Sequence, residues 1–197
     1  MGKYNPENQD AYLLKHNFFG ATSYDELEQL EAVAFSIRAS QLESKGFVWL
    51  HPLSIDTLKR LHYFLFQDAY PFAGKIRDVQ LMKGQTRFCQ VEFIESNLYE
   101  LILQLQEESV RKSIEQATER LAYYKSELNM IHPFREGNGR TIRLVIREIA
   151  RSHGYDWDFQ KIDRHYYMKA MIQSVVDESL LRKLLNETLS KNLTSNG

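Results

Sequence analysis

The sequence predicts an all-α fold, a compact helical domain carrying one short β-hairpin. Three observations lead there. Apolar residues recur at spacings of three and four along most of the 197 residues. Only residues 76–91 alternate apolar and polar positions on both sides of a turn. No second pair of strands is visible, which argues against a parallel sheet. The length suits a single domain, residues 1–197, with a substantial core. Hydrophobic residues at 43% and charged residues at 26% are ordinary for a globular protein.

Composition removes several function classes. A net charge of −1 argues against direct nucleic-acid binding, because non-specific phosphate affinity needs a basic excess. The single cysteine, Cys89, allows no internal disulfide and no Cys-based zinc site, and it fits a reducing cytosol. No apolar run approaches the roughly 18–20 residues that span a bilayer, and the first 30 residues lack a signal pattern. In "MGKYNP", Pro6 stands where myristoylation needs Ser or Thr, so this reads as an ordinary start. The expected setting is cytoplasmic, away from membranes.

The elements follow in order. Residues 1–20, rich in Asn, Asp and Gly, read as loosely structured. Ser23 with Glu26 three residues on is a capping-box pattern, and Leu27, Leu30, Ala34 and Ile37 then recur at helical spacing over 23–43. Pro52 and Ser54 introduce a helix with Ile55, Leu58, Leu61 and Leu65 on one face, ended by "FAGK". In 76–91, Val79 and Leu81 alternate with polar neighbours, "KGQT" turns the chain and Phe88 begins the return strand. Helices resume at 93–108 and at 113–132, the latter with the stripe Ile114, Ala117, Leu121, Tyr124, Leu128 and Ile131. The last helices are expected at 139–152, about 160–173 and about 177–190.

Between the fourth and fifth of these helices lies "HPFREGNGR", residues 132–140. Arg140, Arg143, Arg147 and Arg151 then form a basic stripe opposite Ile142, Val145, Ile146 and Ile149. The stripe begins at a helix N-terminus, where unsatisfied N–H groups and the dipole favour anions. "GNG" offers bare backbone there, and the Asn138 side chain can donate to a phosphate, with Arg140 and Arg143 forked onto others. Glu136 beside an anion makes sense as a Mg²⁺ ligand. His132 is then a candidate base for a hydroxyl attacking phosphorus. Taken singly, a Gly-Asn-Gly turn, an arginine face and a histidine cap are ordinary structure. Together within a few residues they point to an anion site.

"HPFREGNGRTIR" resembles the Fic motif, H-x-F-x-[D/E]-G-N-G-R-x-x-R. His132, Phe134, Glu136, Gly137, Asn138, Gly139, Arg140 and Arg143 meet every fixed position. "FAGKIRDVQLMKGQTRFC", residues 72–89, is similar to that family's F/W-A-G-x-x-R segment and hairpin flap. The resemblance covers roughly residues 50–190 and implies a compact Fic-type helical fold. It implies protein AMPylation, the transfer of AMP from ATP to a Tyr, Ser or Thr hydroxyl of a target protein with release of pyrophosphate. Carried over by position, His132 is the base and Glu136 the Mg²⁺ ligand. Gly137, Asn138 and Gly139 form the anion hole, and Arg140 and Arg143 clamp the outer phosphates. Phe134 orients the loop from the core. Lys83, Gly84, Gln85, Thr86, Arg87 and Phe88 form a flap that aligns the target backbone.

Many Fic proteins are restrained by a helix of pattern [S/T]-x-x-x-E-[G/N], whose Glu pairs with the motif's second Arg. Thr22–Glu26, Ser96–Glu100 and Ser174–Glu178 each lack the final Gly or Asn. The resemblance therefore extends to bacterial Fic toxins held by a small antitoxin that brings the glutamate in trans. Toxins of that kind modify the ATPase subunits of DNA gyrase and topoisomerase IV. Self-inhibition through Ser174–Glu178, transfer from another nucleotide or of phosphocholine, and a non-catalytic binding role are the alternatives.

Overall fold

The computed structural model describes residues 6–47, 50–108 and 113–192. Residues 1–5, on which the reading of the amino-terminal start rests, lie outside them. Helices dominate, as the apolar spacing predicts. Contacts divide the chain into two units, one of residues 1–106 and 131–141 and one of residues 107–130 and 142–197.

The first unit begins with α1 (Pro6–Lys15), where the sequence suggests loose chain. Its apolar content is low, but Leu13 and Gln9 are both buried. α2 (Tyr24–Lys45) starts at Ser23, whose side chain accepts from the Glu26 N–H. α3 (Ile55–Phe66) starts at a reciprocal cap, Ser54 with Thr57. Leu58, Leu61 and Leu65 of α3 are buried as expected. The expected α2 stripe is not the inward face. Leu27 is buried, but Leu30 is 38% and Ile37 54% exposed, and a carboxylate, Glu31, is buried instead. α2 packs on α3 and α1. After α3 come the strands β1 (Met82–Lys83) and β2 (Thr86–Arg87), shorter than the alternation suggests. They pair antiparallel, with Lys83 opposite Thr86 across Gly84–Gln85. Gly84 has φ 58°, the left-handed conformation that a two-residue hairpin loop demands. α4 (Ile94–Glu107) follows, with Ile94, Leu98, Leu101 and Ile102 buried.

The second unit holds most of α5 (Ile114–Ile131) and most of α6 (Asn138–Ser152). Ala117, Leu121, Tyr124 and Leu128 of α5, and Ile142, Val145, Ile146 and Ile149 of α6, are all buried. β3 (Tyr155–Trp157) pairs antiparallel with β4 (Leu189–Lys191). This second strand pair is not a hairpin, but it corrects the expectation that only one pair of strands is present. Three-residue strands more than thirty positions apart are too short to show alternation. Between them α7 (Arg164–Gln173) packs on α8 (Ser179–Thr188).

Candidate active site

The motif loop, residues 132–137, joins α5 to α6. Its conformation is fixed from several sides within the first unit. His132 has φ 48°, unusual for a residue with a side chain, and Gly137 has φ 78°. A Cβ on Gly137 would lie 2.5 Å from the Phe66 ring, so Gly137 is required by packing as well as by φ. Asn138 is fully buried. Its Oδ1 accepts from the Phe134 N–H at 2.8 Å and its Nδ2 donates to the Phe134 carbonyl at 2.6 Å. The sequence reading sends this side chain to a phosphate. The structure uses it to close the loop, which leaves Asn138 its backbone N–H for an anion.

His62 of α3 supports the same loop. Its Nδ1 accepts from the Gly74 N–H at 2.8 Å, so Nε2 carries the proton and donates to the Glu136 carbonyl at 2.8 Å. Burial pulls its pKa down to about 4, against a smaller opposing effect from the Glu136 bond. The imidazole is stacked between Phe66 and Phe134, 4.8 and 3.8 Å between centroids. From α1, Gln9 brackets Arg135, donating to its carbonyl at 3.0 Å and accepting from its Nε at 3.2 Å.

Arg77 ties the hairpin to the loop. This buried guanidinium donates to the carbonyls of His132, Val79, Cys89 and Ile131, at 2.7, 2.7, 2.5 and 3.3 Å. The Arg77 N–H donates to the Pro133 carbonyl at 2.9 Å. Four of the six flap residues, Lys83, Gly84, Gln85 and Arg87, are exposed and Thr86 is half-buried. Phe88 differs. It is buried, clustered with Leu81, and stacked on the His132 ring at 3.7 Å and 12°. It forms the base of the flap.

α6 opens at Asn138, and its first helical hydrogen bond runs from the Thr141 N–H to the Gly137 carbonyl, 3.0 Å. The N–H groups of Asn138, Gly139 and Arg140 precede it and form the positive helix end. Gly139 is exposed, and among the described residues a Cβ there would meet no atom beyond its own helix backbone and chain neighbours within 4 Å. Glu136 is 3% exposed and its Oε1 lies 3.6 Å from Arg140 Nη2. Arg140 is flanked by the rings of Phe35 and Phe66, 5.2 and 4.8 Å away. Burial opposes its charge, but Glu31 and Glu136 outweigh that and raise its pKa. In the second unit, Arg143 faces the Tyr167 ring at 5.8 Å. The arginine stripe is half-buried rather than solvated, since the side chains of Arg140 and Arg147 are only 17% and 11% exposed.

The family model described as Fic/DOC matches residues 46–150, and it spans all of this loop and the flap. The chain belongs to the Fic/DOC family. Among its relatives, Protein adenylyltransferase VbhT of Bartonella schoenbuchensis is 33% identical over 98% of this chain, which spans 41% of that protein. The Escherichia coli protein named "Probable protein adenylyltransferase Fic" is 30% identical over 94% of both chains. The Fic/DOC fold is shared with BepC of Bartonella tribocorum, solved with bound AMPPNP, at a TM-score of 0.77 and 19% identity over 89% of this chain and 91% of that one. The Fic domain of a Bartonella sp. AR 15-3 effector gives 0.80 and 22% over 88% and 86%. Beside the Fic/DOC motif, sequence reasoning missed His62, Glu31, which accepts from Arg140, and Tyr70, whose hydroxyl donates to Glu31. Each reaches the site from a distant helix or turn with no local pattern to mark it.

Proposed function

We infer that the chain acts, like its named relatives, as a protein adenylyltransferase, moving AMP from ATP to a hydroxyl of a target protein. The observation that supports this most is a motif complete at every fixed position and folded onto the open first turn of α6. In this reading His132 takes the proton of the target hydroxyl as its oxygen attacks the α-phosphorus. The bond from the α-phosphorus to the bridging oxygen breaks and pyrophosphate leaves. The N–H groups of Asn138, Gly139 and Arg140 hold phosphate oxygens, and among the described residues nothing beyond its own helix crowds the Cβ position of Gly139, which leaves room for such an approach. Arg140 and Arg143, three residues apart on one helix, take the outer phosphates.

Glu136 is the candidate Mg²⁺ ligand. The donor set fits, since Mg²⁺ is held by one or two carboxylates plus substrate phosphates and keeps several waters. Among the described residues no cluster of three or more His, Cys, Asp or Glu offers a metal cage. The ion would supply charge neutralisation on the phosphates. The flap residues Lys83 to Arg87 would pair with the target backbone, with Phe88 as their anchor.

The proposed regulation is by a separate small antitoxin carrying the inhibitory glutamate. The proposed target is a type II topoisomerase ATPase subunit, and the proposed setting is the cytosol. Ser174–Glu178 lies at the turn between α7 and α8, where Glu178 pairs with Arg182 at 3.3 Å. Among the described residues no helix is long and apolar enough to cross a membrane.

The test is incubation with α-³²P-ATP and a cell lysate, read on a gel. A labelled protein band is expected, and it should vanish in His132→Ala while ATP binding persists, because a general base contributes about 10²–10⁴-fold. Most of the labelling surviving in that variant would remove His132 as the base. Transfer only from another labelled donor would replace ATP.

A further inference from the structure

We propose that Glu31 of α2 is a positioning residue for Arg140, with the Tyr70 hydroxyl as its anchor. The proposal rests on the reading of Arg140 as a phosphate ligand. Glu31 is 5% exposed and lies in the middle of a 22-residue helix, where a charged side chain is costly unless paired. Both its oxygens are engaged. Oε1 accepts from Arg140 Nη2, and Oε2 accepts from the Tyr70 hydroxyl. Tyr70 is 2% exposed, and burial followed by the Glu31 charge holds its hydroxyl protonated as a donor. Phe35 and Phe66 flank the guanidinium. Ion pair and rings together restrict both the place and the plane of the fork.

A carboxylate facing a phosphate-binding arginine could also block it. The geometry points to positioning. Both carboxylate contacts of Arg140, with Glu31 and with Glu136, run through the single nitrogen Nη2. Among the described residues nothing accepts a hydrogen bond from Nε or Nη1, which leaves them for another anion, since a guanidinium has five donors. Glu31 is also pinned on its far side by Tyr70, unlike a removable plug. A preset fork loses less freedom when it grips phosphate.

The experiment compares ATP kinetics of AMP transfer in wild type, Glu31→Ala, Glu31→Gln, Arg140→Ala and the Glu31→Ala/Arg140→Ala double variant, with folding checked by circular dichroism. Folded Glu31→Ala should show a KM for ATP raised about tenfold. Glu31→Gln, which keeps an acceptor oxygen, should recover to within about threefold of wild type. In the Arg140→Ala background, Glu31→Ala should change KM by less than about twofold, because its effect passes through Arg140. Native ATP kinetics in Glu31→Ala, or activity raised above wild type, would overturn the proposal. If Glu31→Ala does not fold, Tyr70→Phe decides. A KM raised about threefold supports the anchor, and an unchanged KM overturns it. Native kinetics in Arg140→Ala would remove the phosphate role of Arg140 itself, and the proposal with it, a failure visible in that single variant.

Discussion

Two glycines two residues apart have opposite reasons to be glycine. Gly137 is demanded by the protein, through positive φ and the Phe66 ring 2.5 Å from a would-be Cβ. Gly137→Ala should cost about 2–4 kcal/mol, seen as a fall in Tm. Gly139 meets nothing, so Gly139→Ala should leave Tm unchanged or slightly raised, by up to about 0.5–1 kcal/mol. It should nonetheless weaken ATP binding, read by calorimetry, if the space belongs to a nucleotide. A second residue-scale expectation concerns acid. His62 is buried neutral with its pKa held at about 4, below the free value of about 6.5. The unfolded chain therefore binds a proton that the folded one resists. The stability contribution is complete above pH 6.5 and is lost as pH falls through 6.5 towards 4. At pH 5 the loss is about 2 kcal/mol relative to neutral pH. Urea unfolding at pH 7.5 and 5 should show that difference in wild type and a smaller one in His62→Gln. At this scale the motif was legible because His132 to Arg143 lie within twelve residues. His62, Glu31 and Tyr70 were not, since a single sequence carries no distances between remote positions.

At the scale of elements, Arg77 is the strap between hairpin and loop. It spends its guanidinium on four carbonyls, two of them on the motif side. Arg77→Lys keeps the charge but offers one ammonium in place of a planar fork. It should lower stability by about 2–3 kcal/mol through unsatisfied buried carbonyls and accelerate amide exchange in residues 79–89. Exchange unchanged from wild type would mean that the hairpin is held without the strap. α5 supplies a contrasting case. Lys125 is 1% exposed, faces the Trp157 and Tyr167 rings at 5.2 and 5.1 Å, and has its pKa pushed well below the usual lysine range, by burial and then by Arg143. Unfolded Lys125 holds its proton at neutral pH and the folded form resists it, so this group destabilises at pH 7 and stability rises with pH towards about 10.4. Lys125→Met should raise Tm and flatten that alkaline rise. Helices were readable here from apolar spacing alone. α1 escaped because it is held by Leu13 and by Gln9 on Arg135 more than by any stripe, and the true inner face of α2 escaped because a buried carboxylate sits on it.

For the molecule as a whole, the question is whether the chain restrains itself. Glu178 stands at the start of α8 and pairs with Arg182, and beside it burial, followed by the Glu178 charge, raises the pKa of Glu127. The isolated protein should label a lysate without activation, and Glu178→Gly should change that rate by less than about threefold. A rise of tenfold or more would favour self-inhibition, since freeing a buried Arg–Glu pair is worth a few kcal/mol. The contact between Glu31 and Arg140 bears on how the protein is handled as a reagent. The family match begins at residue 46, after α2 has ended. A chain cut back to that border for expression would keep every motif residue yet strip the carboxylate from Arg140 and Tyr70 and uncover α3, leaving a buried cation and a buried phenol facing water. Such a fragment should come out of cells insoluble or inactive, and supplying residues 1–45 as a separate peptide should recover it in part.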